Sequence, residues 1–167
     1  MNRFSLTIRL VLIMLFQVLI LNNIHFLGYI NPYLYVLFVF VYPVRTNRFP
    51  FLFFAFLYGL VADLFSDSGG IHAFSLLFVA YIRIFLIKAI FQKSNTDLLT
   101  FNFKSESLKK MINYVIILTV IHHFILFSLA HFSFQNFYDI MLNTFLSAFF
   151  TLILYFSGTF IFNKKYP

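Results

Sequence analysis

Residues 59–83 read GLVADLFSDSGGIHAFSLLFVAYIR. An acid (Asp63), a glycine pair (Gly69-Gly70), a histidine (His72) and an arginine (Arg83) interrupt a run that is otherwise nearly all apolar. In a hydrocarbon solvent each of these polar groups is costly, so each must hold the fold together or bind something. Before the glycines, Ala55, Gly59 and Ala62/Asp63 recur at helical spacing, which puts small residues and one acid on a single face. Small faces let helix backbones approach closely in lipid, so Asp63 is expected to point into protein. The bland reading is that Asp63 accepts hydrogen bonds from the next turn or helix and locks a corner. An ion, proton or ligand site and a protein contact are the alternatives.

Ser66-Asp67-Ser68-Gly69-Gly70 then reads as a tight turn, because glycine reaches positive φ at low steric cost. Asp67 or Ser68 is placed to cap the helix that follows. A helix start also suits an anion, but the Lys-Ser/Thr ending of a phosphate loop is missing. His72, in the first turn of that helix, reads as a hydrogen-bonded corner residue with Asp63 as a candidate partner. Arg83 lies past the middle of its span, and the expectation is that it snorkels toward the headgroups. Helical rise separates it from Asp63 by roughly 13 Å of depth. Its partner must then be a carbonyl, Asn143 or a neighbouring protein.

The rest of the chain has the same character. Of 167 residues 62% are hydrophobic and only 10% charged, whereas a soluble domain has about a quarter charged. An all-α, polytopic membrane bundle of one domain is expected. Apolar runs fall near 6–22, 29–44, 51–65, 71–91, 111–131 and 138–162, giving six transmembrane helices. The first resembles a signal peptide, but no small-x-small cleavage site follows, so it reads as an uncleaved span. In the second, Pro32 suits a first helical turn after Asn31, while Pro43 tends to end or kink the helix. Either this helix starts earlier, near Phe26, or it runs through Pro43 with a kink. Pro50 suits a helix start.

Eleven of the twelve Lys and Arg residues, all but Arg83, fall on one side of a six-span arrangement. The positive-inside rule then places both termini in the cytoplasm. The net charge of +7 is read as this topology signal, and nucleic acid is not an expected partner. The loop 92–110 mixes Leu98, Leu99, Phe101, Phe103 and Leu108 with Lys, Ser and Asn, and reads either as an interfacial segment or as an irregular linker. Cysteine is absent, so disulfides and thiolate metal sites are excluded. His72 with a histidine of the fifth run (His122, His123 or His131) has ligand chemistry for zinc, but no H-E-x-x-H pattern supports it. No metal or cofactor is expected. Catalytic triads, facing carboxylates and phosphate loops are all missing, so the chain does not read as an enzyme.

The run Gly59-x-x-x-Asp63-Leu64-Phe65, Gly70-x-His72-Ala73-Phe74, Val79-Ala80-Tyr81 resembles the rod shape-determining protein MreD family, as do the chain length, span count and termini. The motif covers about 25 residues. The resemblance implies a non-enzymatic subunit of the bacterial inner membrane within the cell-elongation machinery. Such a subunit binds bitopic MreC and, through it, MreB, RodA and its transpeptidase partner, and so helps organise peptidoglycan synthesis. The family's fold resembles the substrate-binding component of energy-coupling vitamin transporters, which supplies an alternative function: a solute-binding transporter subunit. In those components a small-residue face on the first helix docks the coupling subunit. Here the first span, Leu6 to Leu21, has neither Ala nor Gly. Asn22, Asn23, His25, Asn31, Asp63, Asp67 and His131 still offer polar groups on the outer side, so a small-molecule ligand is not excluded. Asp63, Gly59, Gly70, His72 and Arg83 are the structural or partner-binding candidates.

Overall fold

The computed structural model describes residues 3–24, 31–44, 47–99, 101–132 and 137–162. The proposed helix start near Phe26, His25, Arg45 and the tail lysines Lys164 and Lys165 fall outside them. Among the described residues there is no β-strand. The helices are α1 (Arg3–Leu19), α2 (Leu37–Val41), α3 (Phe49–Ser66), α4 (Ile71–Phe91), α5 (Leu108–His131) and α6 (Phe137–Phe162). All except α2 are long and apolar enough to cross a membrane. The polarity is inverted relative to a soluble fold. Leu12, Phe53, Leu64, Phe65, Tyr81, Phe85, Phe145 and Phe149 are exposed, while Gln17, Asp63, His72, Arg83, His122 and His123 are buried. Lipid is the solvent that this surface fits, and the protein is a multi-pass membrane protein.

Helices α3, α4, α5 and α6 pack sequentially, each against the next. Pro50 stands in the first turn of α3, where its missing N–H costs nothing. Asp67 closes α3 in the left-handed conformation, φ 49°, and its N–H returns to the Asp63 carbonyl. Gly69 (φ 65°) and Gly70 (φ 98°) complete the turn, and a φ near that of Gly70 excludes side-chain-bearing residues.

The second apolar run differs most from expectation. Only Leu34–Val36, as a 3₁₀ turn, and Leu37–Val41 are helical. Pro32 is not in a first helical turn; it precedes the helical segment in irregular backbone. The helix does not run through Pro43. Tyr42 is extended, ψ 130°, which is what a following proline imposes. Tyr35, Val36, Phe38 and Val39 are buried, so this segment lies inside the bundle, against α1, α4 and α6. It travels along α4: Tyr35 meets His72 in the first turn, and the Tyr42 carbonyl meets Arg83 about three turns further on. Since the 3₁₀ turn after α1 (Leu21–Asn23) is joined to the last turn of α3 through Asn22 and Ser66, and Tyr58 of α3 donates to the Leu10 carbonyl further back on α1, those two helices run in the same direction. The buried segment is the return path between them.

The loop between α4 and α5 is not an irregular linker throughout. It forms two short 3₁₀ turns, Asp97–Leu99 and Phe103–Ser105. Leu98 is buried, and Phe101 and Phe103 pack on Phe91, with Phe103 also against Tyr114. Lys93 pairs with Glu106 at 2.8 Å, which holds its ammonium above the usual range. Hydrogen bonds from Ser94 hold the Asp97 carboxyl below its usual range. The loop therefore folds back as a cap on the end of the bundle that carries Arg48, Lys88, Lys93 and Lys109, called the basic end below.

Candidate functional site

The corner between α3 and α4 is built on contact between backbones. A Cβ added to Gly59 would lie 2.6 Å from Ala73 Cα and 2.8 Å from the His72 carbonyl oxygen. One turn beyond Gly59, Asp63 reaches the first turn of α4. Its Oδ1 accepts from the Ser68 hydroxyl at 2.5 Å and from the His72 N–H at 2.9 Å, and its Oδ2 accepts from the Ala73 N–H at 2.8 Å. Gly70, at the N-cap, supplies no side chain. The cap expected from Asp67 or Ser68 is thus provided by Asp63 across the helix pair. Asp67 is taken up in closing α3, and the Ser68 hydroxyl serves Asp63. A carboxylate there satisfies two free N–H groups and complements the positive end of the helix dipole.

Two His72 groups have different partners. Its backbone binds Asp63, whereas its ring binds Tyr35, not the acid. The Tyr35 hydroxyl lies 2.7 Å from His72 Nδ1 and 2.8 Å from His122 Nε2, bridging α4 and α5. A phenol donates once, so one imidazole accepts that proton and the other donates its own N–H to the oxygen. His123 lies alongside, with Nδ1 2.8 Å from the Thr119 carbonyl and Nε2 3.1 Å from Thr151 Oγ1. His131 sits apart, its Nδ1 3.0 Å from the Phe127 carbonyl. Among the described residues no group of three or more His, Asp or Glu could hold a metal ion.

Side chains also serve the irregular backbone before α2. The Leu34 N–H donates to Gln17 Oε1 at 2.6 Å, and Gln17 Nε2 donates to the Pro32 carbonyl and to Asn22 Oδ1. The Tyr33 N–H donates to Thr151 Oγ1 at 3.0 Å. Non-helical backbone is tolerated at membrane depth only where protein satisfies it in this way. Gln17, Tyr35 and Thr151 are therefore core members of the site, and sequence reasoning passed them over. A signal existed for Gln17, the single polar residue between Leu10 and Leu21.

Arg83 is a separate feature, and it does not snorkel. It is 1% exposed. Its Nη2 donates to the Tyr42 carbonyl at 2.6 Å, so a carbonyl is the partner found. The guanidinium carbon lies 4.8 Å from the centre of the Phe51 ring and 5.8 Å from that of Phe103. The folded-back loop supplies Phe103 and closes the path that a snorkelling chain would take. The structure thus brings Asp63, Gly59, Gly70 and His72 to one corner and leaves Arg83 toward the basic end. No family model matches the chain, and no curated protein or solved structure matches it. Function is read from the side chains themselves.

Proposed function

We propose that this protein is a non-enzymatic membrane scaffold of the kind the MreD resemblance implies. It sits in a bacterial inner membrane with both termini and the basic end in the cytoplasm. It holds an MreC-like single-span protein and, through it, MreB, RodA and the transpeptidase of cell elongation. The observation that carries the reading is that the polar groups near the α3–α4 corner are engaged in architecture. All three Asp63 hydrogen bonds go to the turn and to α4, and the Tyr35 ring stands between His72 and His122. Side chains joined in this way fix helix positions and present a rigid lateral surface.

Affinity purification of the tagged chain from native membranes tests the reading. The wild type is expected to retain a single-span MreC-like protein, and Asp63→Ala, at equal abundance, to retain much less. Equal recovery from both, or saturable thermal stabilisation of the wild type by a vitamin, would overturn it.

A further inference from the structure

We propose that the His72–Tyr35–His122 bridge is an acid-released latch, joining α4 and α5 to the 3₁₀ turn that leads into α2. The Tyr35 hydroxyl stands 2.7 Å from His72 Nδ1 and 2.8 Å from His122 Nε2. A hydroxyl has a single proton to give, so the closed bridge requires a proton on one of these two facing nitrogens and not on the other. The second ring nitrogen of His122, Nδ1, is buried and has no hydrogen-bond partner among the described residues. A buried N–H without an acceptor forfeits its hydrogen bond outright. The neutral bridge therefore keeps Nδ1 bare: His122 Nε2–H donates to Tyr35, and Tyr35 donates to His72 Nδ1.

An added proton has two places to rest, and both change the same atom. If His122 takes the charge, its Nε2–H stays on Tyr35 and the new proton lies on Nδ1. If His72 takes it, His72 Nδ1–H donates to Tyr35, and Tyr35 must donate to His122 Nε2. The neutral His122 then carries its own proton on Nδ1. In either case the charged bridge puts a donor on His122 Nδ1, where nothing accepts it, and opening the bridge removes that requirement. The acid at this corner is Asp63 of α3, whose oxygens are committed to the Ser68 hydroxyl and to the His72 and Ala73 N–H groups. Its charge draws the proton toward His72 without altering the count. On α5 the His123 ring lies 5.2 Å from that of His122, held by the Thr119 carbonyl and by Thr151 of α6. The Tyr33 ring lies 5.2 Å from His72, and α1 contributes the uncharged Gln17, bound to the Leu34 N–H. His72 is the second residue of α4, at the end of the bundle opposite the basic loop, so the proton arrives from that side. Opening frees the buried segment at Tyr35 from α4 and α5 together.

The test is thermal unfolding of the purified full chain in neutral detergent at about pH 7.5 and about pH 5, which brackets the titration of free histidine. On acidification the wild type is expected to lose about 2–10 °C of melting temperature. Tyr35→Phe, which has no bridge to lose, should start lower and fall less, so that its gap to wild type narrows by about half or more. His122→Gln, which lacks the nitrogen that must take the proton, should lose most of the fall. His131→Gln, outside the bridge, should keep it. Nitrogen-15 NMR of the wild-type imidazoles at the higher pH should show His122 protonated on Nε2. If His122→Gln does not fold, the Tyr35→Phe comparison and the imidazole spectrum decide. A gap between wild type and Tyr35→Phe that is the same at both pH values, an undiminished fall in folded His122→Gln, a fall lost in His131→Gln, or a proton on His122 Nδ1 at the higher pH would overturn the proposal.

Discussion

Replacing Asp63 with alanine removes three acceptor contacts at once: those from Ser68 Oγ, His72 N and Ala73 N. Loss of an N-cap side chain costs about 1 kcal/mol, with a range up to about 2. The anionic charge at the helix start adds about 0.5 kcal/mol. The His72 and Ala73 N–H groups are then left in a buried corner, and each unsatisfied group costs at least about 1 kcal/mol. Hydrogen bonds in membrane proteins average only about 0.6 kcal/mol, because the unfolded chain also finds partners in lipid. Weighing these, we expect Asp63→Ala to destabilise by about 2–4 kcal/mol.

Asparagine is not a rescue. Its one carbonyl oxygen replaces one carboxylate oxygen, and its amide nitrogen then faces a backbone N–H as a second donor. Asp63→Asn should cost about 1–3 kcal/mol, and Ser68→Ala, which loses a single bond, about 1 kcal/mol or less. The assay is reversible unfolding in mixed micelles titrated with sodium dodecyl sulfate, followed by circular dichroism. A stability of Asp63→Asn within about 0.5 kcal/mol of wild type would refute the reasoning, because the second oxygen would then hold nothing of value.

Tyr35→Phe should destabilise by about 1–3 kcal/mol in the same assay by leaving His72 Nδ1 and His122 Nε2 unpaired, and a neutral result would mean that the hydroxyl bridge is dispensable. Gly59→Ala should separate α3 from α4, since its Cβ would meet backbone at 2.6 Å; the readout is a cysteine pair across those helices, which should disulfide-link less readily than in the Gly59 parent. Gly70→Ala should lower the melting temperature through strain at φ 98°. For Lys93, the ammonium titrates higher in the fold than in the unfolded chain. The Lys93–Glu106 tie therefore contributes fully below the unfolded value and is lost as pH rises through the folded one, so a small decrease in melting temperature at alkaline pH should vanish in Glu106→Gln.

The local corner was legible because its parts lie close in sequence. Asp63 is nine residues from His72 and ten from Ala73, and the small-residue face at Ala55 and Gly59 announced a close helix pair. The capping residue was misread because Asp67 is nearer along the chain. Close backbone approach at Gly59 decides in favour of Asp63. The Tyr35 bridge was not legible. It joins residues 37 and 87 positions apart, and it exists because the second apolar run is buried. Pro32 and Pro43 warned that this run is irregular, but no local periodicity says that a broken segment will pass through the interior. Arg83 was misread for a related reason. Only a loop that folds back can carry Phe103 to its guanidinium, and the Lys, Ser and Asn of that loop obscured its buried Leu98 and half-buried aromatics.

The most direct test of the scaffold reading is photo-crosslinking in native membranes from Leu64 and Phe65. Both are exposed beside the Asp63 corner, at 73% and 63%. Our account predicts a discrete adduct with an MreC-like single-span protein at one or both positions, lost when Asp63→Ala is introduced into the same chain. A folded, normally abundant chain that yields only lipid adducts at both positions, or the same protein adduct with and without Asp63, would contradict it.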